Sequence, residues 1–172
     1  MLMTKIIVVN EKDEIIGYKD RDDRNETDII RVSALILLNS KNQTLIARRA
    51  LNKILDSGKW GPAAAGTLEE GESYLSNIIK EAQEEIGFKA SKKDLSFGRK
   101  KFVETSHKYF LQIFITETNL PLQNFRIYRK EVSEIRWVQV PELIAWFKKK
   151  PKNFTASFST VADTLNPTRK TA

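Results

Sequence analysis

The stretch from Gly66 to Phe88 constrains this chain more than any other part of it. It reads Gly66-x5-Glu72-x7-Lys80-Glu81-Ala82-x-Glu84-Glu85-x-Gly87-Phe88. Within it Leu75, Ile78, Ile79, Ala82 and Ile86 recur at helical spacing, so the pattern predicts a helix from about Ser73 to Ile86 with one apolar stripe. Glu81, Glu84 and Glu85 stand beside that stripe at i, i+3 and i+4, in the C-terminal half. A helix macrodipole favours anions at the other end, and like charges within one turn repel. A cation relieves both penalties. Hard divalent ions such as Mg2+ choose oxygen ligands and bridge one or two carboxylates to phosphates. Gly87 follows as a helix stop, where a left-handed residue is wanted.

A plainer reading has the glutamates solubilising an exposed helix face, with Lys80 pairing to Glu84 one turn on. The upstream Gly66 and Glu72 tell against it. Filling six Gly or Glu positions and one basic position by chance has a probability on the order of one in a million, or about ten times that after allowing for helical sequence bias.

These residues resemble the Nudix box, with Lys80 where that family has arginine. The resemblance covers roughly Ile29 to Lys149. It implies an α/β fold, the Nudix-type α/β/α sandwich with a mixed β-sheet. It also implies a hydrolase of diphosphate bonds in nucleoside diphosphate-linked or related organic diphosphates, using Mg2+ or alternatively Mn2+. On that reading Glu81 and Glu85 hold the metal, Glu84 is a ligand or its close partner, and the Ala65 carbonyl completes the site. Glu72 positions the loop and helix, and Lys80 replaces the arginine in a structural ion pair. Lysine lacks the bidentate fork of arginine.

A general base is sought outside the box. Glu131, in Arg129-Lys130-Glu131-Val132-Ser133-Glu134, is the first candidate and Glu104 the second. Arg48 and Arg49 follow a strand and offer guanidinium forks to phosphate, although alternation lets only one face the site. Trp60 is a candidate to stack on a substrate ring, or else a packing residue.

The opening hairpin and connector are similar to those of the branch containing isopentenyl-diphosphate isomerase and its hydrolase relatives. The isomerases carry a cysteine where this chain has Ala65 and a metal-binding histidine where it has Thr67. Both are missing here, so the acid and ligand for carbon protonation are gone. A non-catalytic nucleotide- or RNA-binding Nudix domain is the other alternative, motivated by Lys80 and by charge.

That charge is uneven. The chain has a formal net charge of +7, yet residues 66–88 hold six acids and one base, while residues 89–172 hold 17 bases and seven acids. An acidic focus in a basic surround suits a metal site that attracts polyanions. Nucleic acid is compatible with it as a partner. Arg99-Lys100-Lys101 and Lys148-Lys149-Lys150-Pro151-Lys152 nonetheless lack the interleaved aromatics of a single-strand binder.

There is no cysteine, which excludes disulfides, thiolate nucleophiles and Cys-based zinc sites. One histidine, His107, cannot build a histidine-rich metal site. No run reaches the length of a membrane span and the start does not read as a signal peptide, so a cytoplasmic location is expected. A homodimer is compatible with the family.

With 172 residues and 41% hydrophobic content, one domain is expected. Residues 1–28 read as a hairpin (Lys5–Val9 and Glu14–Tyr18) plus a charged connector, 29–149 as the core, and 150–172 as a C-terminal helix and tail. Strands are expected at Val32–Leu38, Thr44–Ala47, Leu95–Glu104, Tyr109–Thr116 and Ile135–Val140. Lys59–Gly66 reads as a Pro- and Ala-containing approach to the box. A helix starting at Pro141 runs to about Lys149. Another spans Asn153–Leu165, before a frayed end.

Overall fold

Ile29–Leu38 is almost continuously apolar, as expected of a strand covered on both faces. The computed structural model describes residues 4–166 and makes this strand the centre of a nine-stranded mixed sheet. In chain order the strands are β1 (Ile6–Val9), β2 (Ile15–Lys19), β3 (Ile29–Leu38), β4 (Gln43–Arg49), β5 (Trp60–Gly61), β6 (Ala64–Thr67), β7 (Ser96–Glu104), β8 (Lys108–Glu117) and β9 (Val132–Gln139). The helices are α1 (Tyr74–Ile86), α2 (Val140–Lys149) and α3 (Phe158–Leu165).

Along one edge β3 pairs in parallel with β8, from Ile29 opposite Lys108 to Leu38 opposite Glu117. Its other edge is shared by three antiparallel neighbours: β1 at Ile29 and Ile30, β6 from Val32 to Leu35, and β4 at Leu38. β9 and β5 flank β4, β7 pairs with β8, and β2 pairs with β1.

Successive side chains of a strand point to opposite faces, and here each face has its own helix layer. Leu35, Leu37, Leu45 and Phe114 pack with Ile78, Ala82 and Ile86 of α1. Ala34, Ile36, Ile46 and Ile113 pack with Leu143 of α2 and with Phe158, Val161 and Leu165 of α3. The result is the α/β/α sandwich that the box implied. Each fully buried Leu, Ile or Phe contributes about 1.5–3 kcal/mol, so the two apolar faces of β3 dominate the stability of this region.

The opening hairpin forms as expected, and β1 joins it to the main sheet. Its turn places Asp13 at a positive φ of 61°. The charged connector contains a short 3-10 turn, Arg21–Asp23, and is tied back by Lys19 donating to both carboxylate oxygens of Asp28 at 2.8 Å.

The approach to the box, Lys59–Gly66, forms β5 and most of β6, because β4 and β3 offer it edges. One expectation needs correction. The helix expected from Asn153 begins only at Phe158. Pro151–Asn153 is a 3-10 turn, and the Thr155 amide then donates to the Trp60 carbonyl at 2.9 Å, so this segment covers β5 rather than coiling. Of the frayed end, residues 167–172 lie outside the described residues. No helix among the described residues is long and apolar enough to cross a membrane.

Candidate active site

Helix α1 is fixed at both ends by its own sequence. Ser73 is extended and caps it: its hydroxyl accepts from the Ser76 amide, while the Ser76 hydroxyl accepts from the Ser73 amide. At the other end Gly87 takes φ +66°, its amide donating to Gln83 O and that of Phe88 to Ala82 O. The last carbonyls are satisfied from outside, by Tyr128 N–H on Glu85 O at 2.9 Å and Arg126 N–H on Ile86 O at 3.0 Å. This stitching carries the segment before β9 to the acidic end of α1. Glu131 thereby arrives on the same cavity wall as Glu85.

That cavity has a volume of about 1180 Å3. Glu81, Glu84 and Glu85 line it from α1, together with Ala65 and Gly66 of β6. Glu81 lies directly across Gly66: a β-carbon there would meet its carboxyl carbon at 2.2 Å. Glu85 accepts a hydrogen bond from the Ala65 amide at 3.2 Å. Burial raises the Glu81 pKa to about 7, with Lys80 opposing the rise and Glu84, Glu72 and Glu69 adding to it. Burial likewise raises Glu85 to about 8, helped by Glu81 and opposed by the Ala65 amide. Glu84 is exposed at the rim.

The rest of the box holds these groups in place. Lys80 pairs with Glu72 at 2.5 Å, Glu69 at 3.2 Å and, more loosely, Glu81 at 3.8 Å. Burial would lower the Lys80 pKa, but its hydrogen bonds to Glu72 and Glu69 leave it raised. Lys80 therefore takes up the structural pairing expected of it, while the Glu84 contact weighed above is not the one it makes. Glu72 accepts from the Glu69 amide at 2.9 Å and from Asn77 Nδ2 at 2.8 Å. Asn77 is fully buried, also donates to the Thr67 carbonyl, and accepts from the Ser33 hydroxyl.

Among the described residues no three His, Cys, Asp or Glu side chains form a ready-made metal cage. The donors present fit Mg2+ all the same, since this ion keeps several waters and needs only one or two carboxylates beside its phosphate ligands. The absent side chain at Gly66 leaves room for one of those carboxylates, and burial leaves both short of a counter-charge.

The remaining sequence candidates separate cleanly. Arg49 faces the cavity, its Nε donating to the Leu55 carbonyl at 3.0 Å. Arg48 does not line it. Strand alternation turns Arg48 away, to the Gly58 carbonyl at 2.8 Å and towards Glu134 at 3.9 Å. Trp60 is 6% exposed and sits in the core, edge-on to Trp146 with a centroid distance of 6.0 Å. Pairing of β5 with β4 puts its ring on the α2 and α3 side of the sheet, away from the cavity wall. Glu131 lines the cavity and is held by Lys53 at 2.6 Å. Glu104 is on β7, paired with Lys108 and away from that wall.

Sequence reasoning missed Lys53, Arg24 and Asn77. Only Asn77 carried a signal, as a polar residue inside the apolar stripe of a helix.

Half-buried carboxylates thus share one cavity wall with arginine and lysine on an α/β/α sandwich. The chain belongs to the Nudix hydrolases: the NUDIX domain model matches residues 28–158. It is 31% identical over 136 residues to the uncharacterized Nudix hydrolase PA4841 of Pseudomonas aeruginosa, covering 78% of each chain. It is 28% identical over 148 residues to a prenyl-diphosphate phosphatase of Methanosarcina mazei, covering 86% of each. Among solved structures, DR0079 of Deinococcus radiodurans superposes with a TM-score of 0.75 at 23% identity, over 92% of this chain and 97% of that one.

Proposed function

We propose that the chain is a Mg2+-dependent hydrolase that cleaves the diphosphate bond of an organic diphosphate, with Mn2+ as an alternative ion. The observation that carries this reading is the carboxylate of Glu81 lying over Gly66, beside that of Glu85 on one cavity wall. Two carboxylates held together out of bulk water either take up protons or share a cation, and a divalent ion displaces the protons.

Glu81 and Glu85 would hold that cation, with Glu84 and the Ala65 carbonyl as further oxygen donors. Bound there, Mg2+ supplies charge neutralisation on the phosphoryl oxygens and a lowered pKa for the attacking water. Other groups act directly. Arg49 and Lys53 face the cavity as cations for phosphoryl oxygens. Glu131 takes the proton of the attacking water, and its contact with Lys53 at 2.6 Å aims its carboxylate.

The walls also bear on the substrate. Ile54 is 99% exposed and Leu55 49% exposed, and both lie on the cavity rim. Trp60 is in the core, so the aromatic surfaces left to the cavity are Tyr128 and His107, and Ile54 and Leu55 add apolar surface beside them. A diphosphate carrying an apolar tail fits it, and the name of the Methanosarcina mazei relative points the same way. Isomerisation has no support in the residues present, since Ala65 and Thr67 supply neither thiol nor imidazole.

The test is phosphate or diphosphate release from prenyl diphosphates, nucleotide sugars and nucleoside triphosphates with Mg2+, beside Glu85→Gln. We expect metal-dependent turnover, fastest on the prenyl compounds and lost in the variant. Turnover by neither protein on any compound would refute the hydrolase reading. Preference for nucleotides would refute the apolar assignment alone.

A further inference from the structure

Buried side-chain polar atoms without a hydrogen-bond partner are few among the described residues: Nε and Nη2 of Arg24, and the hydroxyl of Thr155. Native proteins avoid such atoms, above all on charged groups, unless a ligand completes them. Arg24 lies on the wall of the same large cavity as Glu81 and Glu85. Thr155 lies on a smaller cavity of about 180 Å3, which shares Arg49, Ala65, Glu85 and Glu131 with the larger one. The residues that carry these unsatisfied atoms thus line two neighbouring cavities whose walls are shared in part.

The local hydrogen bonds explain why Arg24 has no partner. The carboxylate nearest to it in charge terms is Asp28. Asp28 is already engaged, accepting from Lys19 Nζ on both oxygens at 2.8 Å and from the Asn25 amide at 2.9 Å. Arg21, the other arginine of the connector, turns instead to Glu69 at 3.6 Å. Arg24 is left as a desolvated planar fork of donors, the shape that matches phosphoryl oxygens. Burial lowers its pKa from the usual arginine value, with the charge of Asp28 opposing the shift and that of Arg21 adding to it.

We propose that Arg24 is a substrate-binding residue that grips phosphoryl oxygens of the diphosphate from the wall formed by the N-terminal connector. This rests on the hydrolase reading for the identity of the anion. The connector then has a role beyond linking β2 to β3: it brings a cation to a site whose carboxylates come from α1. It also gives the substrate a contact that does not pass through the metal.

The experiment measures binding of methylenediphosphonate, a non-hydrolysable diphosphate, by calorimetry in Mg2+, with wild type, Arg24→Met and Arg24→Lys. Thermal stability and Mg2+ affinity are measured alongside. We expect Arg24→Met to bind the diphosphonate at least about tenfold more weakly and to show a matching rise in KM. Its Mg2+ affinity is expected to stay unchanged and its Tm to hold or rise, because two buried donors without partners have been removed. Arg24→Lys, which keeps charge without the fork, falls between.

Equal binding by wild type and Arg24→Met, or no binding by wild type, overturns the assignment. So does loss of folding in Arg24→Met, which would make the guanidinium structural. If wild type binds the diphosphonate through Arg24 yet hydrolyses nothing, the hydrolase reading fails and the assignment stands. If Glu85→Gln abolishes turnover while Arg24→Met retains wild-type KM, the reverse holds.

Discussion

A β-carbon on Gly66 would stand 2.2 Å from the carboxyl carbon of Glu81 and 2.4 Å from one of its oxygens. Gly66→Ala therefore cannot leave Glu81 where it is. The side chain can rotate away, so the fold is expected to survive with a small change in Tm. The proposed metal site is not, and a displacement of about 1 Å in a reacting constellation can lower turnover about a hundredfold. Turnover and Mg2+ affinity should fall together in this variant while its circular dichroism stays that of wild type. A Gly66→Ala protein with wild-type kcat would show that Glu81 has no part in catalysis.

The sequence made this relationship half visible. Spacing put Glu81, Glu84 and Glu85 on one helix and marked most strands and helices, because period-2 and period-3.6 patterns are local properties, while the sandwich followed from the resemblance to the Nudix box. What lay across from the glutamates depended on partners distant in sequence. Arg49 and Arg48 were indistinguishable until β9 and β5 fixed the faces of β4. Trp60 is equally plausible as a stacking ring or a core residue until α2 brings Trp146 against it. Arg24 sat in a charged connector like any solvated arginine. Its want of a partner exists only because Lys19 and Asn25 have taken Asp28.

The raised carboxylates predict a pH-dependent response to Mg2+. Both ordinarily titrate at 4.5, and in the folded protein at about 7 for Glu81 and about 8 for Glu85. Between these limits the folded state binds more protons than the unfolded one, so without metal stability falls as pH rises through that window. A divalent cation displaces those protons and supplies the missing charge. Mg2+ should accordingly raise Tm more at pH 8 than at pH 6, with proton release seen as a buffer-dependent binding enthalpy. Glu85→Gln is expected to shrink the difference. A Mg2+ response that is the same at both pH values would contradict this.

Asp13 gives the opposite slope. It accepts from Arg31 Nε at 2.7 Å and from the Tyr74 hydroxyl at 3.1 Å, and it also pairs with Lys100, joining the first turn to β3, α1 and β7. Burial alone would raise its pKa, but the hydrogen bonds from Lys100 and Arg31 hold it below 3.8. Its contribution is fully present above the ordinary carboxylate range and is lost as pH falls through the depressed folded value. Asn tolerates the positive φ at this position, so Asp13→Asn removes the charge and spares the turn. It should cost about 1–3 kcal/mol in urea unfolding at neutral pH, chiefly by leaving Arg31 half-satisfied. The variant should also lose part of the acid-side decline in stability. Unchanged stability would mean the cluster is held by its aromatic packing alone.

Glu131 and Glu104, the first and second candidate bases in the sequence, predict different outcomes. Glu131 shares a cavity wall with Glu85, and its backbone is bound there by the Ala50 amide donating to its carbonyl at 2.9 Å. Glu104 sits on β7 with its side chain 59% exposed. If Glu131 takes the proton of the attacking water, Glu131→Gln should lower kcat by about a hundredfold or more while leaving Mg2+ affinity within about twofold. Glu104→Gln should match wild type in both. The split between kcat and metal affinity is the informative part, because a Glu131 that merely oriented Lys53 would raise KM instead. Lys53→Met completes the comparison: loss of a phosphate-binding cation raises KM, and a second drop in kcat would show that Lys53 also tunes the base. Wild-type kcat in Glu131→Gln would return the proton-accepting role to the glutamates of α1.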